Sequence, residues 1–185
     1  MEFSISKATF LQGLYLAQGI SDRKSTMPIL ANVLLRSDGK DKLLLAASDL
    51  NLTLTAELSA KVDFQGDITK SAKHLHDIVK SLPGDQLTFK RLDNHYAEIK
   101  AGKTQYKLVG MADRDFPRLP SVKEVAFSSI DVATLRDMIQ KTFFSVSTDE
   151  TRHHLNGVYF ESDGATVKMV STDGHRLSKV ERALE

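Results

Sequence analysis

The sequence has 185 residues, 41% of them hydrophobic, and a formal net charge of +1, which is enough apolar material for a core and room for one ordinary domain or one and a half small ones. A nearly neutral balance excludes a protein that holds nucleic acid through bulk positive charge, so phosphate can be met only by locally arranged Lys and Arg. Cysteine is absent, no apolar run reaches the roughly 20 residues of a bilayer span, and the start MEFSISKATF lacks the basic and greasy regions of a signal peptide, so a soluble cytoplasmic protein without disulfides or thiolate metal sites is expected.

Residues 3–5 alternate as a short strand, and Ser6 can cap a helix over 7–18 whose Phe10, Leu11, Leu14 and Ala17 form one apolar face. A polar loop over 21–26 leads through Pro28 to two apolar strands joined at Ser37-Asp38-Gly39, and residues 50–58 alternate again with Leu50, Leu52 and Leu54 on one side. That is one β-α-β-β-β unit. A second begins near Gly66: a short strand at Ile68, a helix capped by Ser71 with Leu75, Ile78, Val79 and Leu82 inward, and a stop at Pro83-Gly84. Lys73, Asp77 and Lys80 fall on the opposite helix face. Strands over 87–92, 96–101 and 105–110 come next, with Asp93-Asn94 turning between the first two.

Residues 112–122 carry two of the four prolines and no periodicity, which predicts an extended connector and a domain boundary. The domains are accordingly expected at 1–120 and 121–185. The third unit opens with a strand over 125–128, then a helix capped by Asp131 with Leu135, Met138, Ile139 and Phe143 as its apolar face, then a loop over 145–154. Residues 155–177, LNGVYFESDGATVKMVSTDGHRL, repeat 30–52: Ser162-Asp163-Gly164 lies over Ser37-Asp38-Gly39, and Thr172-Asp173 over Ser48-Asp49 one residue out of step. In each, Ser-Asp-Gly supplies the positive φ that a tight hairpin needs. Three such units of about 60 residues are a repeat architecture. Two of them can share a sheet and lay two helices on one face, but a third has no mate. An exposed helix stripe and an open strand edge are therefore expected there, as in a fragment of something longer.

The opening strand and helix, Met27-Pro28-Ile29-Leu30, Ala47-Ser48-Asp49-Leu50, Asp115-Phe116-Pro117, Leu155-Asn156-Gly157 and above all Ser171-Thr172-Asp173-Gly174-His175-Arg176-Leu177 resemble the bacterial replicative sliding clamp family, the beta subunits of DNA polymerase III. The resemblance runs the length of the chain in collinear order. It implies an α+β fold of repeated β-α-β-β-β units forming two-layer clamp domains, helices on one face of antiparallel sheets, with the first domain and half of the second present. It implies a non-catalytic processivity factor without cofactors: a homodimeric ring around duplex DNA that tethers the replicative polymerase, the clamp loader and repair proteins.

Sliding demands weak, salt-sensitive contacts with phosphate and no reading of bases. By resemblance the DNA contacts map to Lys24, Lys73, Asp149, His153 and His154. Asp149 departs from that pattern, because a carboxylate repels phosphate, and the two histidines gain charge only towards pH of about 6.5. The near wall of a hydrophobic groove for short linear peptides maps to Leu155, Thr172, Gly174, His175, Arg176 and Leu177, with its far wall in residues beyond this chain. The subunit contact maps to the edge strand around Lys103, Tyr106 and Leu108, where Lys guarding is also what an ordinary edge shows. Two other readings compete. One is an interaction module with no role on DNA. The other takes His153, His154, His175 and Asp173 as a hydrolytic metal site, against which stand the absence of any zinc-protease or serine-hydrolase framework and the opposite directions that adjacent histidines would take on a strand.

Overall fold

A computed structural model describes residues 1–21, 26–119, 127, 129–149 and 151–184. The chain divides into two compact units, Met1–Ser121 and Val122–Glu185.

The first unit contains two copies of the predicted repeat. The first copy is β1 (Glu2–Ser6), α1 (Lys7–Ile20), β2 (Asn32–Asp38), β3 (Lys42–Ser48) and β4 (Thr53–Phe64); the second is β5 (Asp67–Ser71), α2 (Ala72–Ser81), β6 (Gln86–Arg91), β7 (Tyr96–Ala101) and β8 (Thr104–Val109). Both helices start where a serine ends a strand: Ser6 Oγ accepts from the Thr9 amide at 3.5 Å and Ser71 Oγ from that of His74 at 3.4 Å, satisfying amides that the first turn leaves orphaned. The strands form one antiparallel sheet in the order β5-β2-β3-β4-β1-β6-β7-β8. The opening strand of each copy therefore pairs with the second strand of the other, β1 with β6 and β5 with β2. β4 joins the halves within one strand, since Thr53 to Ser59 pair with β3 and Ala60 to Phe64 with β1.

Both helices bury their apolar stripes, Phe10, Leu14 and Ala17 on α1 and Leu75 and Val79 on α2, in a single core against the sheet. Phe3 sits at its centre, stacked on Phe89 with ring centroids 4.9 Å apart and edge-on to Phe10 at 6.0 Å. Past β8 the chain runs close over β5: the Thr69 hydroxyl donates to the Met111 carbonyl at 2.8 Å, and a Cβ added to Gly110 would stand 2.0 Å from the Thr69 carbonyl oxygen. Beside this seam Lys70 is fully buried and donates to the His95 carbonyl at 2.5 Å.

Two expectations need correction in this unit. Leu50 and Leu52 do not begin an inward-facing strand; β4 starts at Thr53, and the two leucines are 59% and 60% exposed in the corner before it. The cause is local. The Ser48 and Asp49 side chains take up the amides of Leu50, Asn51 and Leu52, which a strand would have spent on its neighbour. Nor is the connector a bare extended link. Asp113–Asp115 forms a 3-10 turn, and Phe116 is buried on Ile29, Leu30, Leu34 and Ala46 in a second apolar cluster.

In the second unit the predicted strand over 125–128 falls mostly outside the described residues. The unit is built from α3 (Val132–Thr142), capped by Asp131, whose carboxylate accepts from the Thr134 amide at 2.8 Å, and an antiparallel sheet β11-β10-β9 made of β9 (Tyr159–Ser162), β10 (Thr166–Thr172) and β11 (Leu177–Ala183). Its core is small: Met138, Val167, Met169 and Val180, with Leu135 and Val158 partly buried beside them. The predicted α3 stripe is only half used. Ile139 is exposed, and Phe143 falls in a 3-10 turn beyond the helix with 68% of its surface open. Tyr159 and Phe160 on β9 are exposed too, so this unit carries the bare apolar surface anticipated for an unmated repeat. Among the described residues no helix is long and apolar enough to cross a membrane.

Candidate nucleic-acid and peptide interfaces

The corner between β10 and β11 is held by two side chains. The Asp173 carboxylate accepts from the amides of His175 and Arg176, both at 3.0 Å, and from Arg176 Nε at 2.9 Å; these donors hold its pKa down at about 2. Thr172 Oγ1 accepts from the Gly174 amide at 3.1 Å and donates to the Arg176 carbonyl at 2.7 Å. Gly174 lies between them at φ 89°, a left-handed conformation that costs other residues about 1–2 kcal/mol. The first repeat builds the same corner. There Ser48 Oγ accepts from Leu50 and donates to the Leu52 carbonyl, Asp49 accepts from Asn51 and Leu52, and Leu50 itself takes φ 76° in the place of glycine.

Around this corner lie two depressions rather than one groove. Leu155 and Thr172 line the first, about 400 Å³, with His153, His154, Tyr159 and Val170. His175 and Arg176 line the second, about 530 Å³, with Phe143, Phe144, Asp149 and Arg152. The Arg176 guanidinium lies over the Phe144 ring, 5.7 Å from its centroid, which fixes its position while leaving it exposed. Gly174 and Leu177 line neither; Leu177 sits at the start of β11 with 65% of its surface open. The structure thus brings all six predicted groove residues to one corner, but on both sides of it. Phe143, Phe144, Arg152, Tyr159 and Val170 had no signal in the sequence that marked them for this site. The pair Phe143-Phe144 could have been found as an aromatic doublet at a helix end, had Phe143 not fitted the helical stripe.

Of the residues mapped to DNA contacts, Lys24 lies outside the described residues. Lys73 and Lys80 are exposed on the outer face of α2, beside His74 and Asp77. His153 and His154 are exposed on a 3-10 turn, His153–Leu155, so the expectation that they diverge as strand neighbours does not apply. Asp149 accepts from the Thr151 amide and hydroxyl at 2.9 and 2.7 Å and pairs with Arg152 at 3.5 Å, and these donors keep its carboxyl below the usual range. A carboxylate so engaged shapes the loop. Asp173 is spent on its own corner in the same way, and among the described residues no group of three or more His, Asp or Glu could hold a metal ion. At the edge, among the described residues, β8 has β7 as its one sheet neighbour. Tyr106 and Leu108 on β8 face the core side opposite Ile99 and Ala97, the Tyr106 hydroxyl accepts from Ser81 Oγ at 3.4 Å, and Lys103 lies in the turn that enters the strand.

Comparison with known proteins places both units. Residues 1–120 match the DNA polymerase III beta subunit, N-terminal domain, and residues 129–185 match the central domain of the same subunit. The chain belongs to the DNA polymerase III beta subunit family. It is 35% identical over 179 residues to the beta sliding clamp of Pseudomonas aeruginosa, covering 96% of this chain and 48% of that protein. It is 36% identical over 188 residues to that of Caulobacter vibrioides, covering 98% and 50%. The crystal structure of the Pseudomonas aeruginosa DNA polymerase III subunit beta superimposes with a TM-score of 0.89 at 33% identity, over 99% of this chain and 50% of that one. The chain spans about half the length of the curated relatives it matches, and the family's repeated helix-on-sheet architecture is the fold described above.

Proposed function

We propose that this sequence forms the first one and a half domains of a sliding clamp, a ring that encircles duplex DNA and tethers the replicative polymerase without making or breaking a bond. The observation that carries the reading is the match of both units, in order, to two successive domains of one replication subunit. The surface is suited to the task. Lys73 and Lys80 stand on an outer helix face next to neutral and acidic side chains, which gives loose phosphate contacts that cost little to break and remake. His153 and His154 add exposed ring N–H donors. Lys103 in the turn before β8, with Tyr106 and Leu108 on that edge strand, is the proposed subunit contact of a homodimer in the complete protein, and its place of work is the cytoplasm, at replication sites. A complete clamp carrying this sequence, loaded on a nicked circular plasmid, is expected to stay bound through gel filtration and to be lost once the plasmid is linearised; equal retention on both forms would sink the ring.

Partners dock on the same reading as short extended peptides at Leu155, Thr172, Gly174, His175, Arg176 and Leu177. Leu155 offers apolar surface in the depression beside Thr172, Leu177 adds an exposed apolar side chain at the start of β11, and Arg176 offers a fork of donors. Replacing Leu155 by Asp puts an unpaired charge on that apolar surface. Titration of a polymerase C-terminal peptide should show affinity falling at least about tenfold, with the thermal stability of the first unit unchanged. An unaltered dissociation constant would move the docking site elsewhere.

A further inference from the structure

The repeat equates more than the two corners. Leu30 corresponds to Leu155, each at or near the end of a 3-10 turn, Pro28–Ala31 and His153–Leu155. Leu34 and Ala46 face each other across β2 and β3 as Tyr159 and Val170 do across β9 and β10. In the third repeat this spot is the open depression beside Thr172. In the first repeat it is filled: Phe116, only 7% exposed, lies on Leu30, Leu34 and Ala46, with Met111 and Leu119 at its flanks. The segment that delivers Phe116 leaves its 3-10 turn at extended dihedrals, φ −73° and ψ 139° at Phe116 itself, and runs on into Pro117. It has the form of a docked peptide: short, extended and held by one aromatic anchor.

We propose that the first repeat contains a second, latent peptide-docking corner on Leu30, Leu34 and Ala46, filled in cis by the chain's own connector and able to take an extended peptide with an aromatic or large aliphatic anchor once Phe116 leaves. The proposal rests on the peptide reading of the third-repeat corner. A tethered segment competes at an effective concentration on the order of millimolar, which keeps the corner shut against free peptides. Removing the anchor reverses that. Phe116 belongs to an apolar cluster separate from the main core, so its loss leaves the helix-on-sheet packing intact.

The probe is a synthetic peptide copying residues 112–119, ADRDFPRL, added to the isotope-labelled whole chain and followed at the amides of Leu34 and Ala46. Wild-type protein is expected to respond there only at millimolar peptide. Phe116→Ala should respond at concentrations roughly 100-fold lower, the factor set by loss of a buried aromatic anchor, and Phe116→Leu should stay nearly closed. A folded Phe116→Ala chain whose Leu34 and Ala46 amides ignore millimolar peptide overturns the proposal. Should that variant not fold, fluorophenylalanine at position 116 of the otherwise unchanged chain decides: excess peptide should move its fluorine resonance to that of a solvent-exposed ring, and an unmoved resonance at ten times the effective concentration counts against the latent corner. Amides of Val170 and Thr172 report separately on the third repeat. A response at Leu34 and Ala46 supports the latent corner whatever these two amides do, and the Leu155→Asp titration above decides the third-repeat reading independently.

Discussion

Gly110→Ala is expected to cost the first unit at least about 3 kcal/mol, or to prevent its folding. The Gly110 backbone conformation is not the reason, since its φ is not among the positive ones. Space is. The added Cβ would lie 2.0 Å from the Thr69 carbonyl oxygen and 3.1 Å from the carbon that bears it, and both are main-chain atoms of β5, already paired with β2 through Thr69 and Leu34. Relief requires the exit strand to lift from β5. That would break the Thr69 hydroxyl's bonds to Met111 at 2.8 and 3.3 Å and the Gly110 amide's bond to the His95 carbonyl at 2.9 Å. Urea unfolding of the whole chain, with the first unit's transition followed by circular dichroism, measures the loss. A change below about 1 kcal/mol would mean that this seam yields, and that the close approach is not needed by the fold.

Lys70 gives the second large effect, in the direction opposite to most lysines. Burial, aided by the nearby Arg91 charge, pushes its ammonium from the ordinary 10.5 down to about 8. Between those two values the unfolded chain holds a proton that the folded chain has released, so stability rises as pH rises from about 8 to 10.5. The gain is at most about 3 kcal/mol. The Met1 amino group, also held below its ordinary 8.0 by burial, contributes with the same sign in a lower window that ends near pH 8. Lys70→Met should abolish the upper rise and leave stability at pH 7 equal to or above that of the wild type. The His95 carbonyl that Lys70 would abandon still accepts from the Gly110 amide, so no buried acceptor is orphaned. A denaturation series at pH 7, 8, 9 and 10 on both proteins is the test; a flat wild-type profile would show that the folded ammonium keeps its ordinary affinity for protons.

Much of this was legible because caps and corners are written in a few adjacent residues. Ser6, Ser71 and Asp131 announced three helix starts, and each side chain accepts the amide that its position requires. The likeness of Ser48-Asp49 to Thr172-Asp173 became, atom for atom, one hydrogen-bond pattern. What misled was periodicity read across such a corner. Leu50, Leu52 and Leu54 alternate in the sequence, yet the Ser48 and Asp49 side chains had already claimed the intervening amides, and the inward positions of β4 are set by its pairing with β3 from Thr53 onward. Phe116 was opaque for a different reason. A lone aromatic just ahead of two prolines has no period, and its partners Leu30, Leu34 and Ala46 lie some eighty residues earlier in the chain. Phe143 failed in the reverse sense: it continues the spacing of α3, but the helix closes at Thr142, whose hydroxyl turns back to the Met138 carbonyl at 2.8 Å.

The route of β4 bears on how the first unit comes apart. Repeats stacked end to end can peel away singly, because each adds its own interface. Here a single twelve-residue strand is stitched to β3 along one half and to β1 along the other, and β1 is in turn zipped to β6 of the second copy. No cut between the copies spares a ladder. The sequence is modular, but the unit it folds into is expected to melt all at once or not at all.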